Sequence, residues 1–219
     1  MSPTFEVSVI EQVATTADII NYMHWCIHQL TVKYQCRSVQ YARAPANFYQ
    51  NSLEWRRNYL QAPSTYHLCK TILLENTHYE ETAHGAPAYH RYVIAMTQYE
   101  EKLSTQKLMV FMKNLHKKAA GEGDKKVSGQ GFHFRLAPEE IAVELTGFVN
   151  NAMTPFFAKE GAARLPIILS SAISELKPAY MWMGGGRFDL KMGISVPEFI
   201  GFFGADRVHI TDIVDNKKH

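Results

Sequence analysis

The chain has 219 residues, 46% hydrophobic and 20% charged, which excludes a disordered or fibrous polymer. That length holds one large domain, or one domain with an extension. A net charge of +2 excludes a general polyanion binder but leaves room for a local basic patch that meets an RNA end.

The first twenty residues contain acidic side chains and no apolar core, and no run approaches 18 apolar residues. Neither a secretory signal nor a membrane span is expected. Residues 13–34 place Ile19, Ile20, Met23, Ile27 and Leu30 at helical spacing, with Thr16 or Asp18 as the expected cap. "RSVQYAR" reads as a short strand, and "NFYQNSLEWRRNYLQ" as a second helix stopped by "APS". "TYHLCKTILLEN" is rich in branched and aromatic residues and reads as a strand, with "YHRYVIAMTQY" as its partner across the turn "TAHGAP". "STQKLMVFMKNLHKKA" is an amphipathic helix, with Ser104 as cap and Lys117 and Lys118 at its C-terminal end. "AGEGDKKVSGQG" is a glycine-rich loop and "FHFRL" a short strand. "APEEIAVELTG" is a helix with Pro138 near its first turn and Gly147 just past its end. "RLPIILS", "AYMWMG" and "RFDLKMGI" read as strands. "SVPEFIGFFG" reads as a helix opened by Ser195 and closed by Gly204, and "RVHITDI" as a last strand. Strands often follow strands, so the expected fold is α+β with a mixed, mostly antiparallel sheet packed with helices, not regular βαβ alternation.

Three cysteines, Cys26, Cys36 and Cys69, form no CxxC pair, so a reducing, cytoplasmic setting without a disulfide framework is expected. His24 and His28 lie one helical turn apart, but two ligands without CxxC or HExxH do not make a zinc site; no metal or cofactor is expected.

The stretch "TGFVNNAMTPF", Thr146–Phe156, places two Asn, a Thr and a Pro in one connection. Taken alone it is a decorated helix-to-strand turn. Taken in order, "RLAPEEIAVELTGFVNNAMTPF", "RLPIILS" and "MGGGRFDLKMGISVPEFIGFFGADRVHITDI" resemble the YbaK and prolyl-tRNA synthetase-associated editing domain. Upstream, "CKTILL" resembles that family's Lys-Thr-Leu strand. The resemblance divides the chain into an N-terminal helical extension over 1–62, packed on the main domain, and an editing-like domain over 63–219. It implies an aminoacyl-tRNA deacylase that hydrolyses misacylated tRNA, chiefly tRNA for proline carrying alanine or cysteine. Its implied partners are the charged tRNA acceptor end and a synthetase or synthetase complex, with no membrane and no DNA. Asn151 and Ala152 stand where the family has two glycines, Ser170 where it has Asp, Arg187-Phe188 where it has Lys-Arg, and Asp189 where it has Gly. The family's amino-acid preference therefore does not transfer.

Ester hydrolysis needs a positioned water, a proton acceptor and donors for the developing oxyanion, and backbone amides can serve as those donors. Lys70 is expected to be the catalytic clamp on a phosphate or ribose; its ordinary alternative is a lysine snorkelling at a strand edge. Gly147, Asn151, Ala152, Met153, Thr154 and Pro155 are expected to bind substrate through the loop. In that loop Asn151 should adopt positive φ, Ala152 should keep bulk low, Thr154 should bond back to the backbone, and Pro155 should set the exit angle. Ser170 is expected in the pocket wall. Gly185 and Gly186 of "MGGGR" should either approach the terminal adenosine or simply form a flexible hairpin. The lysines between 113 and 126 would touch phosphates or be solvated. The competing function is a catalytically inactive editing-like module used for tRNA binding or docking in a synthetase assembly. The substituted loop and the aromatic face around Tyr22, Met23 and Trp25 favour it. A third reading is a deacylase for another small aminoacyl ester.

Overall fold

Alternating apolar side chains and amphipathic runs sort the chain into two sheets and seven α-helices in a computed structural model that describes residues 15–125 and 127–215. The larger sheet has the order β4-β2-β3-β5-β8. Its antiparallel part is β4 (Phe134–Leu136), β2 (Cys69–Asn76) and β3 (Tyr92–Gln98). β5 (Ile167–Ser170) and β8 (Val208–Thr211) run parallel to β3. The smaller sheet is antiparallel, in the order β1 (Gln40–Arg43), β7 (Leu190–Ser195), β6 (Tyr180–Gly184). The mixed, mostly antiparallel α+β architecture is as expected, but the strands divide between two sheets where one was foreseen.

Period-two alternation assigns each face of β2 a different core. Cys69 and Leu73 join Ile94 and Met96 of β3 and pack on Met181, Met183, Met192 and Ile194 of the small sheet. Leu74 joins Val93, Ala95 and Ile168 on the opposite face, under Leu108 and Met112 of α3 (Thr105–Ala119). The two sheets also meet through a bridge between Leu68 and Trp182.

The helix ends follow local chemistry. α1 (Thr16–His28) is capped by Thr15, whose hydroxyl accepts from the Asp18 N–H while the Asp18 carboxylate accepts from the Thr15 N–H. The cap is therefore neither Thr16 nor Asp18 acting alone, and the first two residues of the expected helix, 13 and 14, lie outside the described residues. A π-turn, Gln29–Lys33, ends the run. The expected second helix breaks at Ser52, whose hydroxyl caps α2 (Leu53–Tyr59) by accepting from Trp55 N–H. Phe48–Gln50 before it is a separate 3₁₀ turn. Another 3₁₀ turn, Thr65–His67, replaces the start of the expected strand. Ser104 precedes α3 without a side-chain cap, and its N–H is spent on Ile213 O at 2.7 Å. α4 (Glu139–Thr146) ends on Gly147 at φ 80°, the left-handed cap that glycine adopts without a Cβ clash. α5 (Glu160–Ala163) and α6 (Ser171–Ser174) are single turns around β5. α7 (Val196–Phe203) is capped by Ser195, as foreseen.

Glu198 of α7 ties the chain just before β1 to the small sheet. Its carboxylate accepts from the Arg37 and Ser38 amides, each at 2.8 Å, and from the Ser38 hydroxyl. Burial works to raise its pKa, but the Ser38 hydroxyl and the two amides outweigh this and hold it below the usual glutamate value. A depressed folded pKa contributes stability above the unfolded value, and that contribution is lost as pH falls through the folded value. The gap between urea midpoints at pH 7 and pH 3 should therefore be smaller for Glu198→Gln than for the parent chain.

Candidate active site

The connection after α4 is held at both ends by the core. Thr146 Oγ1 donates to Ala142 O at 2.6 Å and accepts from Phe148 N–H at 3.1 Å, and Phe148 and Phe156 are buried anchors. Ala152 N–H returns to Val149 O at 3.1 Å, closing a turn through Asn151 at φ 67°. Thr154 is buried. Its hydroxyl accepts from Phe156 N–H at 3.3 Å and points at Met183 Sδ at 3.7 Å, so it bonds back to the backbone as foreseen. The Asn151 conformation is also the one foreseen, and asparagine tolerates it better than other non-glycine residues. Asn151→Gly should leave thermal unfolding nearly unchanged. Asn151→Val should cost roughly 1–2 kcal/mol, the ordinary penalty of forcing a bulky L-residue into left-handed space. Differential scanning calorimetry of the two variants checks both.

Beside this loop lies a cleft of about 270 Å³. It exists because β4 pairs with β2 only from Leu74 to Asn76. Ala137 N–H donates to Leu73 O at 3.0 Å where β4 departs, and the edge of β2 from Cys69 to Leu73 is left to the cleft. The cleft wraps that edge, so Lys70 and Thr71 both line it even though alternation turns their side chains to opposite faces. Ala142, Asn151, Met153 and Gly184 close the far wall.

Lys70 Nζ donates to Glu101 O at 3.0 Å and lies 5.9 Å from the Tyr99 ring centroid. Burial lowers its pKa, partly opposed by the Glu101 charge. Thr71 is 8% exposed and its hydroxyl has no partner among the described residues, which leaves a polar group available at the cleft wall.

A second lysine enters from below the loop. Lys191 of β7 is 4% exposed, and its Nζ donates to Asn151 O at 3.0 Å and to the Tyr49 hydroxyl. Tyr49 Oη donates to the same Asn151 carbonyl at 2.8 Å. Burial pulls the Lys191 pKa down to about 7; the Arg56 charge acts in the same direction and Asp189 opposes it. Spacing does not single out Lys191, although it is the lone charge in an apolar strand, the same signal that marks Lys70. Nothing in the sequence marks Tyr49, because its contact with the loop joins residues 102 positions apart.

Of the foreseen site residues, the fold brings Lys70, Asn151 and Met153 to the cleft wall. Ala152 is buried and its carbonyl accepts from Gly186 N–H at 2.9 Å. Gly147, Thr154 and Pro155 shape the loop from behind, and Ser170 is fully buried at the end of β5, outside the cleft lining. Gly185 and Gly186 form the β6–β7 turn, with Gly186 at φ 84° against the Tyr22 hydroxyl. The glycine in the cleft is Gly184: a Cβ there would fall 2.3 Å from Met153 O. Lys113, Lys117 and Lys118 belong to α3, on the face of the large sheet turned away from the small sheet, and Lys126 lies outside the described residues. His24 and His28 belong to α1, and no group of three potential metal ligands occurs among the described residues. No helix among them is long and apolar enough to cross a membrane.

Fold and cleft together define a two-sheet α+β domain with a cleft at the uncovered edge of a central strand. Among solved structures, a candidate trans-editing enzyme for prolyl tRNA synthetase matches with a TM-score of 0.62 at 14% identity, over 89% of this chain and 98% of that one. A scaffold protein from the computational grafting of linear epitopes matches with a TM-score of 0.62 at 11% identity, over 89% and 97%. A hypothetical protein matches with a TM-score of 0.57 at 14% identity, over 87% and 99%. At these identities the likeness is one of fold. No protein-family model matches the chain, and no curated protein does.

Proposed function

We propose that the chain is a trans-editing deacylase that hydrolyses the ester between a small amino acid and the terminal ribose of a tRNA. The observation that carries this reading is that Lys70 and the left-handed Asn151 loop both line one cleft. The fold shared with a candidate trans-editing enzyme supports it.

In this reading the Lys70 ammonium moves from the Glu101 carbonyl to a phosphate or ribose oxygen of the acceptor end, and so holds the ester against the loop. The amides of Asn151 and Met153 have no acceptor among the described residues, and both residues line the cleft. They are the donors for the oxyanion that forms when water attacks the ester carbonyl. The free hydroxyl of the terminal ribose helps deliver the water and take up its proton. The C–O bond to the ribose breaks, the ribose oxygen leaves with a proton, and the amino acid leaves as its carboxylate. The small side chains of Ala142 and Thr71 in the cleft lining favour a small aminoacyl group. A sieve of this kind is useful because a synthetic site gains only about 1–3 kcal/mol from one methylene and cannot strongly reject a smaller amino acid.

A deacylation screen with alanine-, cysteine-, serine- and threonine-charged tRNAs tests the reading. Turnover of at least one of them is required. Binding of charged tRNA with no turnover on any would replace it with a docking module.

A further inference from the structure

We propose that Tyr49 and Lys191 form a latch that holds the Asn151 peptide, so that the first sixty residues supply a positioning group to the cleft. The catalytic consequence rests on the deacylase reading, while the latch itself does not.

The Asn151 carbonyl accepts two hydrogen bonds from outside its loop, from Tyr49 Oη at 2.8 Å and from Lys191 Nζ at 3.0 Å. That carbonyl shares its peptide plane with the Ala152 N–H, so holding it holds the plane between Asn151 and Met153, the two loop residues at the cleft wall. Tyr49 is itself held. Its ring lies 5.3 Å from Phe48 and 5.6 Å from Phe188, and its carbonyl accepts from the Arg56 guanidinium at 3.2 Å. Lys191 Nζ sits 4.4 Å from the Tyr49 ring centroid and 5.4 Å from that of Phe48. An apolar side chain would fill this strand position without the desolvation cost of an ammonium, so the gain from lysine lies in what its ammonium touches. Here that is the loop carbonyl and the phenol that shares it.

The latch also has a pH range. The ionisable groups around Lys191 are Tyr49, Arg56, Cys69 and Tyr99, which share its niche, and Asp189 in the turn before β7. Burial raises the Cys69 thiol and the Tyr49 and Tyr99 phenols. Between pH 6 and 8 Lys191 is therefore the group in this niche that titrates, and its charge-assisted bond to Asn151 weakens as pH rises through about 7.

Amide exchange followed by NMR at Ala152 and Gly186, whose N–H groups close the loop, tests the latch without any substrate. Tyr49→Phe and Lys191→Met should each lower protection there by roughly tenfold, one hydrogen bond's worth, while β3 amides keep theirs. Val110→Ala, on the exposed face of α3, should change nothing. Protection in the parent chain should fall from pH 6 to pH 8 after correction for intrinsic rates, and Lys191→Met should remove that difference. Unchanged loop protection in both variants, or an equal loss across β3, overturns the latch. A parent chain inactive on every charged tRNA overturns the deacylase reading and leaves the exchange result to decide the latch. In an active chain, Tyr49→Phe should lower kcat more than it raises KM; the reverse split would make Tyr49 a binding group and overturn its positioning role.

Discussion

If the chain is the deacylase proposed above, Lys70→Ala should hydrolyse its best charged tRNA roughly 10²–10³-fold more slowly than the parent chain, the range seen when one preorganised donor leaves an active site. The side chain is half-buried at the cleft rim, and among the described residues it donates to the Glu101 carbonyl. Losing that bond costs about 1 kcal/mol of stability, too little to explain a hundredfold loss of rate in a folded protein. Single-turnover deacylation and circular dichroism melts, measured on the same preparation, separate the two effects. Lys70→Arg keeps the charge but replaces a point ammonium with a planar fork, and it should recover only part of the rate. Full activity of Lys70→Ala would remove the clamp from the mechanism.

Gly184→Ala carries the largest structural penalty. Its Cβ would meet Met153 O at 2.3 Å and Ala152 O at 2.7 Å, and both are backbone atoms that no rotamer change can move aside. The Ala152 carbonyl is further held by Gly186 N–H, so the loop can yield only by giving up a hydrogen bond. A cost of about 3 kcal/mol follows, at the upper end of the usual range for overpacking. For a domain of this size that lowers the melting temperature by roughly 6–12 °C. Gly201→Ala is the matched control, since a Cβ there meets nothing within 4 Å on α7. Replacing a helical glycine should stabilise the chain by roughly 0.5–1 kcal/mol. A Gly184→Ala melt equal to that of the parent chain would mean that the loop and β6 do not touch as described.

Most of the local structure is legible from neighbouring residues. Pro138 and Gly147 bracket α4, Ser195 and Gly204 bracket α7, and the branched residues of "CKTILL" form β2, because capping and alternation act over a few positions. The positive φ at Asn151 is legible for the same reason: the loop needs a tolerant residue there and the sequence supplies one. Errors arise where packing between distant elements decides the outcome. Ser104 looks like a cap, yet its side chain makes no cap hydrogen bond, and Ser170 looks like a pocket residue, yet its strand end is packed in the core.

Amino-acid order alone thus indicated most of the longer helices and strands, the loop that carries a left-handed asparagine, and a lysine within an apolar strand. Tertiary structure decided that the strands form two sheets, that β4 is short enough to leave the edge of β2 open, and that Tyr49 and Lys191 meet on one carbonyl. The physical reason is range. Propensity, capping and alternation are set by adjacent residues, whereas the cleft is the space left over when elements more than a hundred residues apart pack against each other.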